Sequence, residues 1–204
     1  MKFIHLPIVA LCVCSTGFSS TPQPLQFTDA DGKTWTLNQT SRVTVVISSS
    51  DSTASQTRAV GRTLYPFQGR EDFRAVVVIC LQKSLARHVR GFTLERIRAD
   101  LDAEAKRIAP YYKEKSNPAN PREHIGAIAD FDGAVARALG WSEDVDSSKV
   151  RVVIFDHTGQ MAARFDPAND LDAIRCKVAE LLKVPCPDDP TVPQRNTIRY
   201  RSTH

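Results

Sequence analysis

The fold is decided by two adjoining stretches, Phe27-Thr28-Asp29-Ala30-Asp31-Gly32-Lys33-Thr34-Trp35-Thr36-Leu37 and Arg42-Val43-Thr44-Val45-Val46-Ile47. The first predicts two short strands around an Asp-Gly turn, because this dipeptide between strand-forming residues is a strong hairpin signal. The second predicts a buried strand, because its apolar residues follow one another almost without interruption. The loop after it, residues 48–56, is rich in serine and contains no cysteine.

Strands and helices alternate over the rest of the chain. Apolar periodicity predicts helices over residues 55–64, 93–109, 132–139 and 170–182, and strands over residues 75–81, 124–129, 150–155 and 160–165. We expect Pro110 to end the second helix. The strand at 75–81 is apolar on both faces, which indicates a parallel sheet covered by helices. The prediction is therefore an α/β domain over residues 25–184, a mixed sheet flanked by helices with one inserted helix.

The N-terminus has the layout of a secretory signal peptide. Lys2 precedes an apolar run that ends at Cys14, and this run is too short to span a bilayer core of roughly 30 Å. We expect residues 1–19 to be a signal peptide, residues 20–24 a linker, and the mature protein to be periplasmic or secreted. Two alternatives remain open. Cys14 is lipidated and attaches the protein peripherally to a membrane, or the apolar N-terminus is not cleaved.

Composition and charge narrow the classes of function. The net charge is +4, and a mean hydropathy of −0.28 indicates a soluble protein. The sequence has no basic stripe with interleaved aromatic residues, so we expect no nucleic-acid partner. The C-terminal tail, residues 185–204, holds four prolines and no apolar period. We therefore predict that this tail is disordered.

Three cysteines remain after the predicted cleavage: Cys80, Cys176 and Cys186. Cys80 lies in the apolar strand 75–81, where we expect a buried, inert thiol. Cys176 and Cys186 flank the end of the last helix and are a candidate disulfide. They can pair only if Val184-Pro185 turns the chain back, because their Cα atoms must come within about 7 Å of each other. An unbonded pair is the alternative.

Three segments together resemble redoxin and peroxiredoxin-type proteins of thioredoxin-like fold. They are the opening stretch 27–37, Ala129-Asp130-Phe131-Asp132-Gly133-Ala134-Val135-Ala136-Arg137-Ala138-Leu139-Gly140, and Val152-Val153-Ile154-Phe155-Asp156-His157-Thr158-Gly159-Gln160, in the family's order. The resemblance covers most of residues 25–183 and implies a thioredoxin-like sheet. It also implies a reactive cysteine at the N-terminus of the helix after the first buried strand, where backbone N–H groups and the helix dipole hold a thiolate.

The chain departs from this family at the reactive centre. The cysteine position falls among residues 48–55, and a serine there can form neither a disulfide nor a sulfenic acid. The resemblance implies a cis-proline before the strand 150–155, but residues 144–149 contain no proline. In the copper-binding relatives two cysteines and a histidine hold Cu(I), and Ser147 stands in place of that histidine. The soft ligands that Cu(I) prefers are therefore missing.

The main interpretation is an exported thioredoxin-fold protein without the redox cysteine, a binding or adaptor protein of the cell envelope rather than an enzyme. Its partner would be an envelope protein or peptide, and we predict no cofactor, metal or catalytic residue. The candidate partner-binding residues surround the former reactive centre: Ser48, Ser49, Ser50, Asp51, Ser52, Thr53, Asp146, Ser147 and Ser148. The serine-rich loop is either a plain helix cap or an anion site made of backbone N–H groups and hydroxyls.

Two rival interpretations belong to other classes. One is a thiol-redox protein, a peroxidase or an oxidoreductase, that uses Cys80 or the Cys176/Cys186 pair. The other is an envelope protein that docks an assembly through the helix 93–109 and the tail. The histidines at 88, 124 and 157 lack the spacing of converging metal ligands.

Overall fold

The computed structural model describes residues 23–141 and 148–188. The predicted signal peptide with Cys14, the candidates Asp146 and Ser147, and the tail beyond Asp188 lie outside the described residues.

The central sheet has five strands. They are β3 (Val43–Ser49), β4 (Phe73–Cys80), β5 (Gly126–Asp130), β6 (Val152–Phe155) and β7 (Met161–Phe165), which follow β1 (Gln26–Thr28) and β2 (Thr34–Thr36). The order across the sheet is β5-β4-β3-β6-β7, and β1 and β2 form a separate antiparallel pair. β3 is parallel to β4, and β4 is parallel to β5. β6 is antiparallel to both β3 and β7, so the sheet is mixed, as predicted.

The described residues also form five helices. They are α1 (Ala54–Thr63), α2 (Arg90–Glu114), α3 (Pro121–His124), α4 (Ala134–Ala138) and α5 (Leu171–Leu181). Single 3₁₀ turns lie at Asp51–Thr53, Tyr65–Phe67 and Leu85–His88. Among the described residues, no helix is both long and apolar enough to cross a membrane.

Both faces of the sheet are buried. Side chains alternate along β3, so that Val45 points to one face and Val46 to the other. Val45 belongs to the cluster that packs against α1 and α5. Val46 lies in the opposite cluster with Trp35 and Trp141. A sheet covered on both faces explains the near-continuous apolar runs of β3 and β4.

The predicted end of the long helix at Pro110 is wrong, because α2 continues through Pro110 to Glu114. A proline inside a helix removes one hydrogen bond and costs about 3 kcal/mol. Ile108 and Tyr112 on either side of it are buried in the core, and their packing offsets that cost. The predicted strand at 124–129 also starts later, since His124 ends α3 and the strand begins at Gly126.

Helices α1 and α5 lie side by side and run in the same direction. β7 points the same way as β3, because both are antiparallel to β6. Gln56 near the start of α1 donates a hydrogen bond to Asn169, just before α5, at 3.2 Å. Farther along, Arg175 of α5 donates to Thr63 at the end of α1. The start of α1 and the end of α5 therefore lie at opposite ends of the sheet.

Candidate functional site

The β3–α1 loop is the place where the resemblance implies a reactive cysteine, and its first residue lies inside the sheet. Ser48 is 3% exposed. Its hydroxyl accepts a hydrogen bond from the backbone N–H of Arg151 at 2.6 Å, and its own N–H donates to the Arg151 carbonyl at 2.8 Å. Ser48, one of the predicted partner-binding residues, is thus a buried strand residue that ties β3 to the start of β6.

The other hydroxyls of this loop cap the helical turn that precedes α1. The Thr53 side chain, 2% exposed, accepts a hydrogen bond from the N–H of Ser50 at 2.8 Å. The Ser50 hydroxyl lies 2.9 Å from that of Thr53 and 3.1 Å from that of Ser52. Ser50 and Thr53 form a capping box. The structure therefore gives these hydroxyls a capping role, and Thr53, like Ser48, is too buried to form part of a surface.

The remaining described candidates are more accessible. Ser49 and Ser50 are half-buried, whereas Asp51, Ser52 and Ser148 are exposed. The Ser49 hydroxyl accepts a hydrogen bond from Thr57 at 3.2 Å, and Asp51 accepts one from Ser84 at 3.0 Å. Part of the predicted surface patch is thus accessible, and its polar groups are largely engaged within the loop.

Cys80 ends β4 and is the free cysteine among the described residues. It is half-buried rather than fully buried. The pKa of its thiol is raised to about 11, first by burial and then by the negative charge of Asp130, against the opposing positive charge of Arg151. With that pKa, about one thiol in ten thousand is ionised at pH 7. Because the thiolate is the nucleophile, Cys80 is a poor reactive centre.

Cys176 and Cys186 form a disulfide. Their Cα atoms lie 4.9 Å apart, and ten positions separate them in the sequence. Cys176 lies in the middle of α5, Cys186 follows the helix, and both residues are exposed. The pairing that the sequence leaves open is therefore present, and it places the bond where a dissolved thiol can reach it.

A Schellman motif at the end of α5 turns the chain back toward Cys176. The N–H of Val184 donates to the carbonyl of Ala179 at 3.0 Å, and the N–H of Lys183 donates to the carbonyl of Glu180 at 3.1 Å. Lys183 has a positive φ of 55°. Val184 is partly buried against the core. The sequence analysis did not predict the turn at Lys183, because glycine is the usual residue at this position. The apolar Val184 just beyond the helix was the available signal of a Schellman motif.

Charged side chains near Cys176 are paired with one another. Arg175 lies 2.8 Å from Asp172, and Lys177 lies 2.8 Å from Glu180, each pair spanning three residues of α5. The Arg175 side chain is buried and also reaches Thr63. The positive charges closest to Cys176 along the helix are thus balanced by carboxylates. The Cys176/Cys186 pair is accessible to solvent, but these charges do not stabilise a thiolate.

The histidines are scattered. His88 ends the turn Leu85–His88, His124 ends α3, and His157 lies in the β6–β7 turn. Within residues 23–141 and 148–188, no three His, Cys, Asp or Glu side chains come together as metal ligands do.

No protein-family model and no curated protein matches this sequence. Solved structures do share its fold. A thiol:disulfide interchange protein of the thioredoxin family from Chlorobium tepidum is 11% identical, with a TM-score of 0.50, over 79% of this chain and 96% of that one. A hypothetical protein from Sinorhizobium meliloti is 17% identical, with a TM-score of 0.50, over 81% and 85%. A secreted disulfide oxidoreductase of Mycobacterium tuberculosis is 8% identical, with a TM-score of 0.46, over 78% and 96%.

These findings correct the main interpretation of the sequence. The chain has a thioredoxin-like fold, a mixed sheet flanked by helices, as the resemblance implies. The prediction of a binding protein without redox chemistry is wrong. A thiol:disulfide interchange protein is among the structures that share the fold, and the chain carries an exposed disulfide of its own. The alternative interpretation, a thiol-redox protein, agrees better with the structure.

Proposed function

We propose that this chain is a thiol–disulfide exchange protein whose redox pair is Cys176 and Cys186. The observation that carries the proposal is the exposure of both cysteines of the disulfide. Exchange begins when a thiolate attacks one sulfur of a disulfide, so the rate depends on access to that sulfur. A disulfide buried in the core would not offer this access.

The exchange proceeds in two balanced steps. A thiolate of a partner bonds to one sulfur of the pair, and the other cysteine leaves as a thiolate, which gives a mixed disulfide. A second thiolate of the same partner then attacks the partner's sulfur in the mixed disulfide and releases the first cysteine as a thiolate. The partner leaves as a disulfide with two electrons fewer, and Cys176 and Cys186 remain as two thiols.

The local structure favours a cycle in which the pair opens and closes again. The Schellman hydrogen bonds of Lys183 and Val184 and the packing of Val184 involve residues other than the two cysteines. They hold the chain after α5 in its turned-back course. In the reduced protein, Cys186 therefore stays close to Cys176, and reclosure needs little loss of chain entropy.

In this proposal the fold keeps its architecture but lacks the reactive cysteine at the β3–α1 loop, and the chemistry lies at the other end of α1 and α5. Cys80 is the weaker alternative as redox centre, because a thiol with a pKa of about 11 is almost wholly protonated at neutral pH.

An oxidising location outside the cytoplasm fits the proposal. The N-terminal pattern of Lys2, an apolar run and small residues up to Ser19 is typical of an exported protein. Disulfides persist in such compartments. We therefore propose that the redox pair works in the periplasm or outside the cell.

The test is equilibration of the full chain with glutathione redox buffers, followed by alkylation and mass measurement. We expect the Cys176–Cys186 pair to be half-reduced at a potential between about −270 and −120 mV, the range of exchange proteins. Cys80→Ala should titrate at the same potential, because this variant keeps the pair. Cys176→Ser should lose the transition and leave Cys186 as a free thiol.

A disulfide that serves only as a structural staple gives a different result. Structural disulfides in secreted proteins have potentials below about −300 mV, so glutathione does not reduce them. If the pair stays oxidised across all glutathione buffers, the redox proposal is wrong.

A further inference from the structure

Three apolar side chains protrude from one surface of the protein. Leu85 is 86% exposed, Val89 53% and Phe92 67%. They follow one another through the turn Leu85–His88 and the first residues of α2. Isolated exposed apolar residues are common. Three large exposed apolar residues within eight positions indicate an interaction surface.

The backbone beneath these side chains is well ordered. The Thr93 hydroxyl, on a buried side chain, donates hydrogen bonds toward the carbonyls of Ala86 at 3.0 Å and Val89 at 3.1 Å. The N–H of Ala86 donates to the Ser84 hydroxyl at 3.1 Å. These contacts fix the turn, so the apolar side chains are held outward by the fold rather than by fraying of a helix end.

Positively charged residues lie between and beside the apolar residues along the chain. Lys83, Arg87, Arg90 and Arg96 are exposed, and Glu95 is the one acidic residue between positions 83 and 96. The Arg90 guanidinium lies 4.8 Å from the centre of the Phe131 ring. We call residues 83–96 the basic apolar patch.

We propose that the basic apolar patch docks the protein onto an anionic phospholipid bilayer. Lysine and arginine side chains are attracted to anionic headgroups, and leucine, valine and phenylalanine insert at the boundary of the acyl chains. A bilayer accepts protruding apolar side chains, whereas a protein partner needs a groove shaped to receive them. Leu85 is 86% exposed and projects from the protein. A bilayer therefore accommodates this side chain better than an acidic protein does.

The position of the patch gives the docked protein an orientation. The patch follows the carboxyl end of β4, and Ser84 within it donates a hydrogen bond to Asp51 in the loop before α1. It therefore lies at the end of the sheet where α1 begins. The Cys176–Cys186 disulfide lies toward the opposite end, because Arg175 next to Cys176 contacts Thr63 at the end of α1, so docking through the patch leaves the disulfide away from the lipid. The docking proposal does not depend on the redox proposal.

The test is cosedimentation of the full-length protein with vesicles of phosphatidylcholine containing about one quarter phosphatidylglycerol. The charge variant is Lys83→Glu with Arg96→Glu, and the apolar variant is Leu85→Ser with Phe92→Ser. Each basic residue near an anionic surface contributes roughly fivefold to binding, so the charge variant should bind at least about twentyfold more weakly. The apolar variant should also lose binding, and added salt should weaken the wild type.

Matched controls separate the patch from other sources of binding. Lys106→Glu with Lys113→Glu makes the same charge change on exposed positions of α2 outside the patch, and Met161→Ser removes an exposed apolar side chain on β7. All variants keep the apolar residues before Cys14, which can bind lipid themselves. If both patch variants bind as well as the controls, the docking proposal is wrong and an acidic protein becomes the expected partner of the patch. Loss in the charge variant alone also contradicts it, because insertion requires the apolar side chains.

Discussion

The β3–α1 loop and the turn after α5 both adjoin helix ends, on opposite ends of the same helix pair. The loop precedes α1, where N–H groups could stabilise a thiolate, but its hydroxyls cap the helix and it has no cysteine. The turn follows α5, where the helix dipole offers a thiolate no help, yet it carries an exposed disulfide. In this chain the β3–α1 loop, which suits a reactive thiol, holds no cysteine, and the bonded cysteines lie elsewhere.

Under the proposed function, this separation decides what kind of exchange the pair would perform. A cysteine at a helix N-terminus acquires a low pKa and attacks other disulfides at neutral pH. Cys176 and Cys186 lack that help, and the nearest positive charges are paired with Asp172 and Glu180. The pair therefore depends on access and on a held geometry. We expect slower exchange than at a helix N-terminus, with the partner's thiolate as the attacking group.

The largest expected effect comes from removing the disulfide. Closing ten positions of sequence restricts the unfolded chain, so the double variant Cys176→Ser/Cys186→Ser should lose about 2.5 kcal/mol of unfolding free energy. Urea denaturation of the purified proteins measures this loss. Cys80→Ala is the control, and it should lose less than the double variant because Cys80 is only half-buried. Equal stabilities of the double variant and the wild type would show that the bond does not constrain the chain.

A cysteine placed in the loop tests whether that position still favours a thiolate. Ser52→Cys is exposed at the turn before α1, where we expect a thiol pKa at or below the ordinary value of about 8.5. Cys80 has a pKa of about 11. At pH 7 the new thiol should react with iodoacetamide roughly thirtyfold faster than Cys80, after allowance for the lower nucleophilicity of the more acidic thiol.

The pH profile of this reaction sharpens the test. The reaction of Cys80 should reach half of its maximal rate near pH 11, whereas that of the new thiol should reach half of its maximum at or below about pH 8.5. The variant Ser52→Cys/Cys80→Ala isolates the new thiol, and the wild type isolates Cys80. Coincident profiles would contradict the difference between the two positions.

Loss of the capping box is expected to have a smaller effect. Thr53→Ala removes a buried side chain that accepts the Ser50 N–H, and it should cost about 1 to 2 kcal/mol of unfolding free energy. Ser55→Ala is the matched control within α1, because Ser55 is exposed, and its effect should stay within about 0.5 kcal/mol. Urea denaturation distinguishes the two. A Thr53→Ala protein as stable as the control would mean that the cap does not hold the loop.

The sequence predicts the sheet and its helices well, because each buried strand is a continuous apolar run. It predicts less about the site, for reasons that lie in single residues. Ser48 continues the alternation of β3 into the core, and only its bond to Arg151 makes a serine acceptable there. Pro110 does not end α2, because packing of Ile108 and Tyr112 outweighs the local rule. The Cys176–Cys186 pairing depends on the positive φ of Lys183. The sequence does not predict this conformation, because lysine rarely adopts it.

The smallest expected effect comes from the substitution of Lys183, which tests the turn after α5 directly. A residue with a side chain is disfavoured at a positive φ, and glycine is not. Lys183→Gly should therefore stabilise the protein by about 0.5 to 1 kcal/mol while the hydrogen bonds of the motif remain. Lys177→Gly, in the interior of α5, should destabilise it by about 1 kcal/mol. In the reduced protein, Lys183→Gly should also speed reclosure of the disulfide, because the turned-back course of the chain becomes more favourable. A glycine variant that is less stable than the wild type would mean that the lysine side chain itself holds the turn, and the link between this turn and disulfide closure would have to be sought in its contacts.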